Sequence, residues 1–391
     1  MMRAIIAAVI CCLGCSSLPA AAQETVAQRR ERVETGLRPR VTIAGQPRGT
    51  IQQRMRDLGV PGVSIAVVRD YQVEWAKGYG VRNATTGEMV TEATRFQVAS
   101  ITKPLAAVVT LSLAQEGRLD LDRDVNAYLK SWKVPENEFT KTEKVTLRRI
   151  LSHTAGMTVS GFAGYAAGTP VPSLLEVLDG KPPANNPPVR VDQVPGSGYR
   201  YSGGGYTVLQ QLLEDVTGRS FADLSRDRVF TPAGMTNSSV GLPAAAPPSL
   251  ELSMAHMPDP RPGYRFLRGG SGCCEWWTTS TDLAKFVIAI QRSLKGQTPS
   301  ILSQATARTM LTPVGAGPMG LGFRLPRLGS TQYFAHDGGN PGFTSSFLAA
   351  VHGGGAAVIL NNSNRGGLNA EILSSIRVAY GWPGSPLVNR D

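Results

Sequence analysis

The sequence predicts an α/β fold: an antiparallel sheet flanked by helices, with an inserted mainly helical lobe. Three observations lead there. Strand-like runs rich in β-branched and aromatic residues lie at both ends of the 391-residue chain, GVSIAVVRD and YQVEWAKGYGVR near the start and YFAHDGGN, FTSSFLAAVH and GAAVILNNS near the end. From about Leu121 to Arg268 the pattern is instead helical and loop-rich. Sheet elements on either side of a helical stretch imply one α/β unit carrying an insertion. The expected division is a sheet-and-helix part over about 51–120 and 270–391, with the lobe over about 121–269. At 42% hydrophobic and 18% charged, the composition is that of a soluble globular chain with a large core.

Taken in order, residues 1–22 read as a signal peptide: Arg3, an apolar stretch Ala4–Leu13, and Ala20-Ala21-Ala22 as a small-residue cleavage site before Gln23. A rival reading, a lipid anchor at Cys15, is disfavoured by Cys12 where such signals usually carry Leu. Residues 23–50 are polar and charged, and are expected to be a solvated lead-in. IQQRMRDLGV follows as a short helix ended near Gly59 and Pro61. The first two strand runs form a hairpin with a tight turn at Arg69-Asp70. A helix is expected from Ile101 to about Gln115, stopped by Gly117. Within the lobe, VTLRRILSHTAGM and GYTVLQQLLEDVTG are separated by a Gly/Pro-rich segment. TDLAKFVIAIQRSL and LNAEILSSIRVAYG supply the later helices.

Several function classes lose support. The formal charge of +11 is spread over scattered arginines without a basic run, so nucleic acid is not expected as a partner, whereas a basic surface suits anionic cell-envelope polymers. After the signal no apolar run approaches the roughly 20 residues that span a bilayer, so the mature chain is expected to be periplasmic or secreted without a transmembrane segment. Beyond the signal only Cys273 and Cys274 remain, adjacent in sequence, which gives no disulfide framework. His153, His256, His336 and His352 show no metal-ligand spacing. No cofactor is implied.

The stretch FQVASITKPLAA places Ser100 and Lys103 three residues apart on one helix face, and no other serine in the chain has a lysine three residues on. On spacing alone the favoured reading is a capping serine and a lysine that snorkels to solvent. The alternative is chemical. A serine nucleophile needs a base for its proton and donors for the oxyanion that follows. Enclosure of Lys103 would disfavour its charged form and make it a proton acceptor.

Ser100-Ile101-Thr102-Lys103 resembles the S-x-x-K motif of serine β-lactamases and penicillin-binding proteins. PGSGYRYSGGGYTVLQQLLEDVTG resembles their second motif region, and His336-Asp337-Gly338 their third, in the expected order. The resemblance spans roughly Ile51 to Tyr380 and is closest to the class C lactamase, D-alanyl-D-alanine carboxypeptidase and esterase branch. It implies a β-lactamase/transpeptidase-like fold, with Ser100 as nucleophile, Lys103 as proton acceptor and Tyr201 as proton carrier to the leaving group. It also implies an oxyanion hole from the backbone N–H groups of Ser100 and Gly339. His336 and Gly338 would then lie on the strand bordering the substrate. The bland alternatives are a packed aromatic at 201 and a turn histidine at 336. The family gives His153 no chemical role, so it is read as structural.

Two departures bear on substrate. Gly203 stands where Asn often follows in the second motif, removing an amide that would hold a lactam or peptide. His336 stands where many lactamases have Lys, removing a permanent cation for a substrate carboxylate. The expected activity is therefore acyl-enzyme hydrolysis of small esters or of D-amino-acid peptides and amides, cell-wall fragments among them. A β-lactamase, a carboxypeptidase or a non-catalytic penicillin or peptidoglycan binder are the alternatives.

Overall fold

The computed structural model describes residues 24–38, 48–165, 169–241, 250–257, 276–298, 300–365 and 367–383. The signal segment with Cys15, and Cys273-Cys274, lie outside the described residues.

The helices are α1 (Val26–Thr35), α2 (Ile51–Leu58), α3 (Thr102–Gln115), α4 (Leu147–Leu151), α5 (Leu174–Asp179), α6 (Gly203–Thr217), α7 (Phe221–Ser225), α8 (Ser280–Leu294), α9 (Gln304–Met310) and α10 (Leu368–Ala379). The strands are β1 (Gly62–Arg69), β2 (Gln72–Asn83), β3 (Glu88–Met89), β4 (Phe96–Gln97), β5 (Ser239–Val240), β6 (Trp276–Thr278), β7 (Arg327–Leu328), β8 (Thr331–Asn340), β9 (Phe343–Ala350) and β10 (Ala356–Asn361). Seven strands form one sheet in the order β3-β2-β1-β10-β9-β8-β7, and each neighbouring pair is antiparallel. The two ends of the chain meet where β1 pairs with β10, Val63 opposite Asn361 through Val68 opposite Ala356. The helices of the lobe lie between β4 and β6 in the chain, as the pattern implied.

Because side chains alternate across a strand, β1 serves two cores. Val63, Ile65 and Val67 pack with Trp75, Tyr79 and Ile359 beneath Ile51 and Met55 of α2 and Leu368, Ile372 and Ile376 of α10. Ala66 and Val68 face the larger cluster that contains α3 and α8. Burial on both faces explains why the run is apolar rather than alternating. The small Ser64 lets α8 come close, with Ser64 Oγ and Ser280 Oγ 2.8 Å apart. α3 is buried from Thr102 to Leu113, the all-round burial of a central helix.

Two expectations change. The hairpin turn is Asp70-Tyr71, one residue later than read, and both residues have positive φ, the two-residue turn whose twist suits antiparallel strands. The lead-in is not simply solvated. Its residues 26–35 form α1, with a capping box between Thr25 and Gln28, and Val33 and Leu37 are fully buried. Arg29 pairs with Glu74, and Glu34 accepts from Lys77 Nζ at 2.7 Å and Tyr79 Oη at 2.8 Å. The reading failed because few apolar side chains in this segment do the packing, while partners 40-odd residues away neutralise its charges.

Candidate active site

The nucleophile candidate sits at the end of a short pinned strand. β4 pairs with β6, Phe96 opposite Thr278 and Gln97 opposite Trp277, and Val98 N–H donates to Trp276 O at 3.0 Å. The chain then turns sharply. Ala99 has φ +49°, and Ser100 lies in a 3₁₀ turn over Ala99–Ile101 before α3 begins at Thr102. Thr102 Oγ1 ties the turn down by donating to Ala99 O at 2.7 Å. Ser100 is thus not the helix cap: α3 has Ile101 at that place and no side-chain cap bond.

Lys103, one turn on, does not snorkel. Its side chain is 1% exposed, and Nζ donates to Ser100 Oγ at 3.1 Å. The amine lies 4.9 Å from the centre of the Tyr201 ring and 5.7 Å from that of Tyr206. Tyr206 is itself buried, donating to Leu151 O at 3.0 Å, and burial holds its phenol well above the ordinary value. An amine within hydrogen-bond reach of a serine hydroxyl, shielded by aromatic rings, is the arrangement that activates a nucleophile.

Tyr201 comes from the segment before α6. Ser202 caps that helix, its Oγ accepting from Gly205 N–H at 2.9 Å and donating to Thr158 O at 2.7 Å. Gly203 opens the helix and has no left-handed φ, so its backbone does not demand glycine. Space is tight instead. A Cβ there would meet Ser160 O at 3.1 Å and Phe162 Cε2 at 3.3 Å.

The third wall is β8. His336, 4% exposed, has its ring 6.5 Å from that of Tyr201. Its Nδ1 lies 2.6 Å from Asp337 O, and since a carbonyl can only accept, Nδ1 carries the proton. Burial, then the Lys103 charge, push the His336 pKa down to about 3, so the ring is neutral near pH 7 with Nε2 as an acceptor. Gly338 is required by contact: a Cβ would lie 2.1 Å from Val98 O and 2.4 Å from Ser345 Oγ. Ser345 Oγ in turn donates to Val98 O at 2.8 Å, locking β9 to the turn that bears Ser100. Gly339, by contrast, has open space where a Cβ would stand. Asp337, an exposed side chain, pairs with Arg324, a residue the sequence reading did not single out.

Ser100, Lys103, Tyr201, His336, Gly338 and Gly339, far apart in sequence, therefore border one region. His153 was read as structural, and it too lies there, its ring 4.3 Å from that of Tyr201. The one signal for it was its place in LSHTAGM. Phe162 gave none, because only the fold brings it beside Gly203.

Penicillin-binding protein 4 of Amycolatopsis lactamdurans is 29% identical over 321 residues, 78% of this chain and 81% of that protein. Protein flp of Staphylococcus aureus strain N315 is 28% identical over 192 residues, 46% of this chain, which spans only 35% of that longer protein. Among solved structures, D-amino acid amidase from Ochrobactrum anthropi SV3, complexed with L-phenylalanine amide, superposes with a TM-score of 0.70 at 22% identity, covering 90% of this chain and 99% of that one, a likeness of fold. The model of the Beta-lactamase family matches residues 48–378, which takes in every residue placed around Ser100 above, and this chain is accordingly a serine hydrolase belonging to the Beta-lactamase family.

Proposed function

We propose that the protein is an exported hydrolase that forms an acyl-enzyme at Ser100 and acts on small neutral esters and on D-amino-acid amides or short peptides. One observation supports this above the others: the Lys103 amine is enclosed 3.1 Å from Ser100 Oγ beneath the Tyr201 phenol. In the step this arrangement serves, Ser100 Oγ bonds to the acyl carbon while its proton passes to Lys103 Nζ, which accepts it in its uncharged form. The carbonyl oxygen takes up the electron pair as an oxyanion facing the N–H groups of Ser100 and Gly339. Collapse breaks the bond to the leaving group, which takes a proton by way of Tyr201. Water then adds to the acyl carbon, its proton returns through the same pair, and Ser100 is released with the free acid.

The substrate class follows from charge and space. His336 is neutral near pH 7, and the Arg324 guanidinium is matched by Asp337, so the cleft offers an anionic substrate little unpaired attraction. The direction Asn would take from position 203 is bordered by Phe162, an apolar group in place of an amide. Esters, with better leaving groups, demand less of that missing contact than lactams do. Export rests on the Arg3 to Ala22 segment, and no helix among the described residues is long and apolar enough to cross a membrane.

The test is intact mass after incubation with a fluorophosphonate, a fluorescent penicillin and p-nitrophenyl esters, for wild type and Ser100→Ala. Wild type should be labelled by the fluorophosphonate and turn over the esters. Ser100→Ala should lose both by at least about 10⁴-fold while its stability stays within about 0.5 kcal/mol. Labelling that survives the substitution would remove Ser100 as nucleophile. Stable penicillin adducts without ester turnover would favour a binder.

A further inference from the structure

Five non-glycine residues among those described have a left-handed backbone. Asp70 and Tyr71 make the hairpin turn. The other three, Ala99, His153 and Val159, all lie at the site: Ala99 precedes Ser100, and Val159 O accepts from Gly204 N–H at 2.9 Å beside Gly203. A β-carbon makes this conformation unfavourable, and it persists only where the surroundings over-determine it.

His153 shows what that conformation accomplishes. With φ +59°, its carbonyl accepts from Arg200 N–H at 2.8 Å and its Nδ1 accepts from Ser202 N–H at 3.0 Å. Its ring lies on that of Tyr201, the residue between them, with centroids 4.3 Å apart and planes 32° from parallel. One residue thus holds three consecutive residues by three different groups. We propose that His153 is the positioning residue for Tyr201, a three-point clamp that fixes the phenol over the Lys103 amine.

The clamp works only with a neutral imidazole. Nδ1 must keep its lone pair for Ser202 N–H, so the ring proton is on Nε2, and a second proton would set two N–H groups against each other. The titratable groups facing the ring are Lys103 from α3, His336 from β8, Tyr199 and Tyr201 from the segment before α6, and Tyr206 within it. Burial first, then repulsion from Lys103 and, once it is protonated in acid, from His336, hold His153 well below the usual histidine range. The arrangement has a cost. Among the described residues Nε2 has no hydrogen-bond partner, a burden that an apolar filler would avoid.

The inference rests on Tyr201 being the proton carrier, and a double-mutant cycle separates the two claims. His153→Asn keeps a side-chain acceptor and tolerates a left-handed backbone, yet lacks the ring; His153→Ala lacks both. With p-nitrophenyl butyrate, kcat should fall about tenfold in His153→Asn and about a hundredfold in His153→Ala, the scale of a displaced catalytic group, with KM within about twofold. In a Tyr201→Phe background neither change should lower kcat further. Equal losses in both backgrounds, or a folded His153→Ala within about threefold of wild type, would overturn the clamp and leave Tyr201 in place. A fully active Tyr201→Phe would overturn both claims. Nitrogen-15 NMR of the wild-type imidazole needs no variant. Nδ1 should be unprotonated and Nε2 protonated from about pH 5 to about pH 9, whereas a proton on Nδ1 near neutrality would refute the clamp.

Discussion

Arg54 and Lys103 are both largely enclosed, on opposite faces of the sheet, and they are treated in opposite ways. Arg54, on α2, makes a two-pronged pair with Glu371 of α10, Nε to Oε2 at 2.8 Å and Nη2 to Oε1 at 2.9 Å. That pairing drives the guanidinium pKa up, its hydrogen bonds to Glu371 first, and fixes two helices to each other. Lys103 is set against a serine hydroxyl and two phenol rings. A matched carboxylate holds a charge in place, whereas a hydroxyl and phenols leave a proton able to move. The face that carries α2 and α10 supplies cohesion. The face that carries the site accepts left-handed residues and a histidine nitrogen that has no hydrogen-bond partner among the described residues.

Substitution at the two sites should separate these parts. Lys103→Met should lower the acylation rate at least about a hundredfold and leave stability unchanged or raised by up to about 1 kcal/mol. Glu371→Gln should do the reverse, lowering stability by about 1–3 kcal/mol with kcat unchanged. Stopped-flow ester hydrolysis beside urea unfolding checks both. A Lys103→Met protein destabilised as much as Glu371→Gln would erase the contrast.

Acid should act on the site face through its histidines. His336 has a folded pKa of about 3 against roughly 6.5 unfolded, so between these values the unfolded chain binds more protons. The stability from keeping it neutral is fully present above about pH 6.5 and is lost as pH falls toward about 3, at up to about 1.4 kcal/mol per pH unit. His153, also held low, adds to the same slope. Urea midpoints across this range should show it, and His336→Gln should remove one histidine's share. An unchanged slope in that variant would mean that His336 is not buried neutral.

Specificity changes should be smaller. Gly203→Asn alone should raise nitrocefin acylation little, because its side chain would start crowded by Ser160 O and Phe162. Gly203→Asn with Phe162→Ala should raise the ratio of nitrocefin to butyrate ester kcat/KM about tenfold, the worth of one polar contact. If the single variant does as well as the double, Phe162 is not the obstacle. Smallest of all, Asp337→Asn should free Arg324 and lower KM for a carboxylate-bearing ester by about twofold to fivefold, on the scale of an exposed ion pair. No change in the ratio of KM for charged and neutral esters would remove Arg324 from substrate choice.

Much of this was legible where periodicity or a motif carried the signal. The Ser100 to Lys103 spacing, the helix after it and the late strands were all read from residues adjacent in sequence. What failed depended on distance. α1 looked solvated because Glu74, Lys77 and Tyr79 lie on a strand that its own sequence does not announce. The hairpin turn moved by one residue because Asp70 and Tyr71 adopt positive φ without a glycine to signal it. The work of His153 was hidden because it depends on a carbonyl direction, set by φ, that no residue type encodes.

The close approach at Gly338 sets when in its life the chain can act. Ser345 Oγ reaches Val98 O across 247 residues of sequence, and Gly62 N–H reaches Asn362 Oδ1 across 300. During synthesis Ser100 and Lys103 emerge early, but β8 beside them emerges more than 200 residues later, and until β10 arrives β1 presents an open edge. A half-made chain therefore holds Ser100 and Lys103 without β8 beside them. On the proposed mechanism, hydrolysis should await completion of the sheet, so activity would count finished molecules rather than merely long ones.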